Sequence, residues 1–485
     1  MKSEHLHPLS IVIFIGRVIK QLYIVLGLLL WDVIAKNHVN PWIYLGIVLL
    51  IIGWGIVRYI CFTFAFDENG LTINSGLFIR RHDHIPFSRI QTTQHKQWFF
   101  LQPFGIESLL IQTAGHEDKK SQTELPAVSI KISNLIDQLY QNKEKTDSDL
   151  PIANQSDQAN QIPDNYATST QDLSKYALTS FTIFPVLGVL MTLYSQLDQF
   201  LPKRFLKPFE TILNHLRLND WLIVVTGLLL LGAVSSYLLI LQRYYHFVLI
   251  KKNNKLTTVR GLFQRQTLGS SLKKLQAVII EQNILRQWFH LATIKAVVAS
   301  EAGSKDHDDD NFIITPVISA KDVPNHLHHF FNWIPASFPE LDHLPKVCDW
   351  YFVRNAVCLS LIPVALSIYF WHQWGSVSLL LLPISISLGI YKGRNTALAL
   401  LSDNQSLLLQ SGYCWTKKTT ILQRKNIQSL VCRQTIWMTG RHLTHLCVNV
   451  RQGDGNQEVQ IRYLSDAKAL AVYHWYLQKP DSKNQ

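Results

Sequence analysis

The side chains of this sequence best suited to holding a metal or moving a proton are its histidines and one acidic run. His82 and His84 stand two apart, which puts both on one face of a strand, and His95 follows closely. A metal needs three or four converging ligands, and no carboxylate or cysteine pattern completes the set. His326 and His329, in the run Asn325-His326-Leu327-His328-His329, share a helix face at i,i+3 but lack a third ligand. Both groups read as polar faces in water. Asp306, Asp308, Asp309 and Asp310 lack the glycine and the terminal glutamate of an EF-hand loop, and read as a solvated loop between strands. No glycine-rich phosphate loop, HExxH or GxSxG motif is present. The expectation is no catalytic residue, no bound metal and no cofactor.

The basic pairs are more suggestive. Arg80-Arg81, Lys273-Lys274 and Lys417-Lys418 each follow a glycine and lie close to where the chain leaves an apolar stretch. Near an anionic bilayer each charge is worth about 1 kcal/mol, so six of them could hold three domains against one leaflet. The plainer account is the ordinary excess of Lys and Arg on the inner side of a membrane, without headgroup selectivity.

Composition indicates that a membrane is present. Only 16% of the 485 residues are charged, below the roughly 25% of soluble domains, while the net charge is +12. Six scattered cysteines without a CxxC pair exclude a disulfide framework and a zinc ribbon. Trp221 to Leu241 carries no formal charge and is long enough to cross a hydrocarbon core. Tyr176 to Leu197 and Pro41 to Val57 read likewise. Asn355 to Tyr391 lacks any Asp, Glu, Lys or Arg, and His372-Gln373-Trp374-Gly375 marks a turn between two short spans or a re-entrant pair. The segment 18–36 spans if Arg17 and Lys20 snorkel to one headgroup layer and Asp32 reaches the other. These spans make three hairpins, at 9–57, 176–241 with an external loop 198–220, and 353–391. Pairing by hairpins returns every polar segment to one side, cytoplasmic by its positive charge, although Lys203, Arg204, Lys207 and Arg217 in the external loop run against that rule. Residues 143–175, rich in Gln, Asn, Asp and Ser, cannot repay ordering entropy by burial and read as a flexible linker.

An internal repeat organises the rest. Arg58, Gly76 and Gln91 recur 185 positions later as Arg243, Gly261 and Gln276, without a gap. A third, more diverged copy carries Arg394, Gly412 and Gln428. Each copy is a helical hairpin followed by a polar domain, at 58–142, 242–334 and 392–479. Within the first, Phe62, Phe64 and Phe66 alternate with smaller residues, Asp67-Glu68-Asn69-Gly70 supplies a turn, and Leu71 and Ile73 resume the alternation. The three glycines are expected at a positive φ or a bulge. Each copy closes with a helix, in the first along Ile132, Leu135, Ile136, Leu139 and Tyr140.

The segments Phe66 to Phe78, Ile85 to Thr92 and Phe104 to Gly115 resemble the bacterial pleckstrin-homology-like (PH-like) domain, a membrane-flanking domain. The third copy departs from the pattern, with Gly412-Tyr413 in place of Gly-Leu. The resemblance implies an α+β membrane protein with six transmembrane helices, each hairpin followed by a seven-stranded PH-like barrel capped by a C-terminal helix. It implies a multi-pass protein of the bacterial plasma (inner) membrane with cytoplasmic PH-like domains. The repeated unit without a catalytic constellation points to a non-enzymatic scaffold for protein–protein interaction, and the resemblance implies a loose tie to envelope stress or antimicrobial resistance, with the bilayer and a smaller membrane protein with one such domain as partners. Homo-oligomers fit the same reading, and nucleic acid does not. The competing reading is a lipid-binding or transport-associated component that recognises anionic headgroups through Arg80, Arg81, Lys273, Lys274, Lys417 and Lys418. Asp67 and Glu68 make the first hairpin turn acidic, which argues against phosphoinositide binding there.

Overall fold

The computed structural model describes residues 4–22, 41–67, 70–77, 79–113, 122–146, 164–180, 218–252, 254–299, 311–370, 375–401, 405–453 and 455–478. Among the described residues each repeat supplies seven strands, because short alternating apolar runs are broken every few residues by turn formers. The first gives β1 (Glu4–His5), β2 (Thr63–Phe66), β3 (Gly70–Ser75), β4 (Arg81–Pro86), β5 (Ile90–Trp98), β6 (Ile106–Thr113) and β7 (Gln122–Ser129). The second gives β8 (Asp164–Ala167), β9 (Val248–Lys252), β10 (Lys255–Arg260), β11 (Gln264–Ser271), β12 (Leu275–Gln282), β13 (Leu291–Val298) and β14 (Phe312–Ser319). The third gives β15 (Asp342–His343), β16 (Ala397–Leu400), β17 (Ser406–Tyr413), β18 (Thr416–Gln423), β19 (Ile427–Arg433), β20 (Leu443–Gln452) and β21 (Gly455–Ser465). The described helices are α1 (Ser10–Gln21), α2 (Pro41–Ile60), α3 (Ile130–Thr146), α4 (Thr170–Leu178), α5 (Leu218–Tyr244), α6 (Ile284–Trp288), α7 (Val323–Phe330), α8 (Asp349–Phe370), α9 (Leu381–Arg394), α10 (Ile436–Thr439) and α11 (Asp466–Leu477).

The chain divides into two units, and the second repeat contributes to both. In the first unit, β1-β2-β3-β4 form one antiparallel sheet and β7-β6-β5 a second. Phe64, Leu71, Ile73, Leu109, Ile111 and Leu125 fill the space between them, with Ile136 of α3 closing one side. The expected face of α3 needs correction: Leu135 and Leu139 are exposed, and Ser133 is buried with Ile136. In the second unit, one sheet of order β14-β13-β12-β18-β17-β16-β15 draws strands from two repeats, and β19-β20-β21 form another. Leu407, Leu409, Leu446, Val448 and Ile461 are sealed between these sheets by Ala469, Val472 and Trp475 of α11. Seven strands per repeat are thus present, but a repeat does not close into its own barrel; it shares a sheet with its neighbour.

Each repeat's first strand lies ahead of its membrane segment, where the sequence gives no alternating pattern. β1 pairs with β2, β8 with β9 and β15 with β16. The linker assigned to 143–175 therefore needs correction at both ends: α3 runs to Thr146, while β8 and the Ser169-capped α4 occupy 164–178. Strand β8 gains from tertiary pairing the order that its polar composition could not supply locally. The stretch between them lies outside the described residues.

Of the six spans expected, part lies outside the described residues. Among the described residues two helical stretches are long and apolar enough to cross a membrane, Lys346–Phe370 and Gly375–Arg394. They pack antiparallel through glycine: a Cβ on Gly389 would lie 2.5 Å from Cα of Val353, and one on Gly375 2.6 Å from Cα of Ile368. The apolar stretches Gly46–Ile60 and Leu229–Tyr244 of α2 and α5 are shorter. The first residues of the span expected at 18–36 fall in α1. There α1 is an amphipathic helix that buries Ser10, Phe14 and Val18 against the first unit, with Arg17 paired to Glu124. Residues 23–36, most of the expected span 176–197 and the loop 198–217 lie outside the described residues.

Candidate functional site

The repeat-defining residues have structural roles. Arg58, Arg243 and Arg394 each sit in the last turn of the helix that leads into a PH-like domain, where a cation complements the helix dipole. The Arg58 guanidinium also lies 5.3 Å from the Phe14 ring centre. Gln91, Gln276 and Gln428 are the extra residues of three equivalent β-bulges, since pairing skips from Ile90 to Thr92, from Leu275 to Ala277 and from Ile427 to Ser429. Gly76 and Gly261 have φ of +103° and +111°, and a Cβ on either would collide with a carbonyl oxygen, of Ile79 and Gln264 respectively. Gly412 departs from the expectation. The third repeat has one extra residue after it, and Cys414 and Trp415 carry the positive φ of a two-residue hairpin turn.

The candidate surface is the edge of the strands. In the first unit β5 accepts β11, with Arg265 opposite Gln97 and Gln266 opposite Lys96. In the second unit β12 accepts β18, with Lys417 opposite Gln282 and Lys418 opposite Glu281. Gln97 and Gln282 are repeat equivalents 185 apart, and Arg265 and Lys417 each stand seven residues before the same 3-10 turn. Both joints use one register. Among the described residues, β4 of the first repeat and β19 of the third are edge strands. Arg81 holds on β4 the place of Gln266 and Lys418, and Arg433 holds on β19 the place of Lys96 and Glu281. The main-chain donors and acceptors of an edge strand form a template for another strand.

Electrostatics at the second joint show how such a contact is matched. Glu281 accepts from Lys295 Nζ at 2.6 Å and from Lys418 Nζ at 2.8 Å. Burial alone would raise its carboxyl, but the two ammonium groups outweigh that and hold it at about 2. Lys418 is thus committed to a strand joint, and Lys417 beside it is half-buried with its ammonium lowered by burial. Arg80 and Arg81 are exposed at the start of β4, the corresponding place. Lys273 and Lys274 lie at the other end of the strand, in the turn after β11. The six basic residues therefore occupy two different places along the strand, and Lys418 already has a carboxylate partner.

The histidines do not gather. His82 bonds Asn74 at 2.6 Å and His84 bonds Thr72 at 2.9 Å, both along the β3–β4 pair. His95 points elsewhere, with Nδ1 2.8 Å from Glu107, Nε2 3.1 Å from Asp137 and Ser133 Oγ 2.9 Å from Nδ1. Burial would lower its imidazole, but the Asp137 and Glu107 bonds raise it to about 9. Both ring nitrogens are occupied, so it offers no free base and instead ties β5 and β6 to α3. His326 packs on Tyr166 and meets Thr315 at 2.9 Å. Burial and His329 lower it to about 4, leaving it neutral. Among the described residues no three His, Cys, Asp or Glu side chains form a metal-binding group. The acidic run 306–310 lies outside the described residues.

The strand joints had no local signal in the sequence; only the spacing of the repeats could have suggested them. Comparison with known proteins agrees with that spacing. The chain is 25% identical to the UPF0699 transmembrane protein YdbT of Bacillus subtilis (strain 168), over 98% of each chain. The family model described as "Bacterial PH domain" matches three times, at 11–143, 188–330 and 353–480. Three matches over most of the chain, together with the threefold recurrence of the bulge glutamines and helix-ending arginines, show that it belongs to the bacterial PH domain family.

Proposed function

We propose that this membrane protein is a non-enzymatic scaffold whose PH-like repeats dock a like module of another membrane protein by strand pairing, on the cytoplasmic face of a bacterial plasma membrane. The observation that carries this reading is the pair of joints, β5–β11 and β12–β18, which solve the same contact twice in one register. Edge strands β4 and β19 offer the two halves of that contact. Self-assembly is disfavoured, because the shared register would set Arg433 of one copy directly opposite Arg81 of the next, and facing like charges destabilise a strand pair. The partner strand instead carries a carboxylate at that place, as Glu281 does for Lys418.

The reading is tested by affinity capture of the full chain from native membrane in mild detergent. The expected partner carries a bacterial PH module, and its yield falls with Arg81→Glu or Arg433→Glu, both exposed and outside the core. Equal capture by the double charge-reversal variant would count against the edges as the docking surface.

A further inference from the structure

A cavity of about 520 Å3 opens in the third repeat where its PH-like domain meets α8. Its wall includes Tyr351, Arg354, Trp437, Arg441, His445 and Tyr463, with no acidic side chain among the lining residues. The two guanidinium groups converge on one ring: Arg354 lies 5.6 Å and Arg441 5.4 Å from the Tyr351 centre, and Arg441 also donates to the Tyr351 hydroxyl. Besides that ring, Arg354 meets the neutral Asn355 amide oxygen at 3.1 Å, and among the described residues no carboxylate is paired with Arg354 or Arg441. Convergent unpaired guanidinium groups present forked donors to a tetrahedral oxyanion. His445 adds another donor. Its Nδ1 accepts the Tyr463 backbone N–H at 3.1 Å, so the proton of the neutral ring sits on Nε2. Tyr463 holds this geometry at φ +61°, a conformation that costs energy for an aromatic residue and marks a position fixed by its surroundings.

The place of the cavity along α8 fits headgroup depth. Arg354 is in the second turn of α8, and from Leu359 onward that helix exposes Leu359, Ile362, Leu366 and Phe370. Beside the opening, Ile436 and Trp437 of α10 are 89% and 88% exposed, and Trp350 is 63% exposed. Tryptophan beside bare apolar side chains at the end of a membrane helix is the pattern of the membrane–water interface. A volume of this size suits a small polar group on a larger apolar body.

We propose that this cavity binds the phosphate of an anionic phospholipid headgroup between Arg354 and Arg441, with α10 dipping into the same leaflet. The wall residue His445 is the cross-strand neighbour of Arg433 on β19, but the arginines proposed to bind are on α8 and beside α10, so lipid retention by the Arg354 variant and partner capture by the Arg433 variant separate this site from the scaffold reading. It also differs from the six basic residues picked out in the sequence, none of which lines it.

Native mass spectrometry of the full chain released from nanodiscs of phosphatidylcholine and phosphatidylglycerol tests the proposal. The intact chain is expected to retain phosphatidylglycerol in preference to phosphatidylcholine. Arg354→Gln should weaken that retention by about tenfold, the worth of one charge-assisted hydrogen bond, and Arg354→Gln with Arg441→Gln should abolish it. Arg354 is exposed, and its contacts to the Asn355 amide and the Tyr351 ring lie on its own helix, so the single variant keeps the fold intact. Lys273→Gln with Lys425→Gln removes the same charge elsewhere and should leave retention unchanged. Equal retention by the Arg354→Gln chain and the wild type, equal retention of the two lipids, or equal loss in the Lys273/Lys425 variant would overturn the proposal. Replacement of the retained lipid by inorganic phosphate at millimolar concentration would also overturn it, assigning the cavity to a free anion.

Discussion

At the residue scale, two titratable side chains tie strands to their neighbours, and both respond to simple perturbation. His95 stands at about 9 in the folded chain against an ordinary 6.5, so its contribution is complete below about pH 6.5 and is lost as pH rises through 9. Thermal unfolding of the detergent-solubilised chain should therefore show a loss of roughly 1–3 kcal/mol across that window, and His95→Gln should flatten it. Glu281 works with the opposite sign. Its contribution is present above about pH 4.5 and fades as pH falls towards 2. Glycine at 76 and 261 is a second point of sensitivity. Gly76→Ala or Gly261→Ala should each cost about 1–3 kcal/mol, because the added Cβ meets a carbonyl oxygen at a positive φ. Denaturant melts of the two variants check this.

At the scale of elements, the β12–β18 joint depends on one buried charge cluster. Glu281→Gln would remove the carboxylate shared by Lys295, with 9% of its side chain exposed, and Lys418, at a cost of about 3–5 kcal/mol. Hydrogen exchange should show lost protection in β12 and β18 and unchanged protection in β20 and β21. How much of this was legible in the sequence depends on where each element's order comes from. Strands β2 and β3 were plain, because Phe64, Leu71 and Ile73 alternate around the Asp67 turn and bury one face. The glycines at 76 and 261 were plain for a backbone reason. Strands β1, β8 and β15 were not, because Glu4–His5, Asp164–Ala167 and Asp342–His343 carry no periodicity and owe their conformation to pairing with residues tens of positions away. The lipid cavity was invisible for a related reason. Tyr351, Arg441 and Tyr463 are far apart in sequence and look ordinary until the sheet brings them to the end of α8.

At the scale of the whole molecule, repeats that share sheets are not interchangeable modules. A fragment of residues 342–478 would uncover the β18 edge, including Ile421 and Leu422, which β12 pairs in the intact chain. Light scattering in detergent should find that fragment self-associated under conditions where the full chain is not. The short strands ahead of the helices set a further constraint. In the third repeat β15 is hydrogen-bonded to β16, and the residues between them make the whole excursion of α8 and α9. Both feet of that loop are stapled into one sheet. During synthesis the sheet cannot be completed until the chain has gone out into the lipid and come back, so a finished domain certifies that its anchor has been correctly threaded.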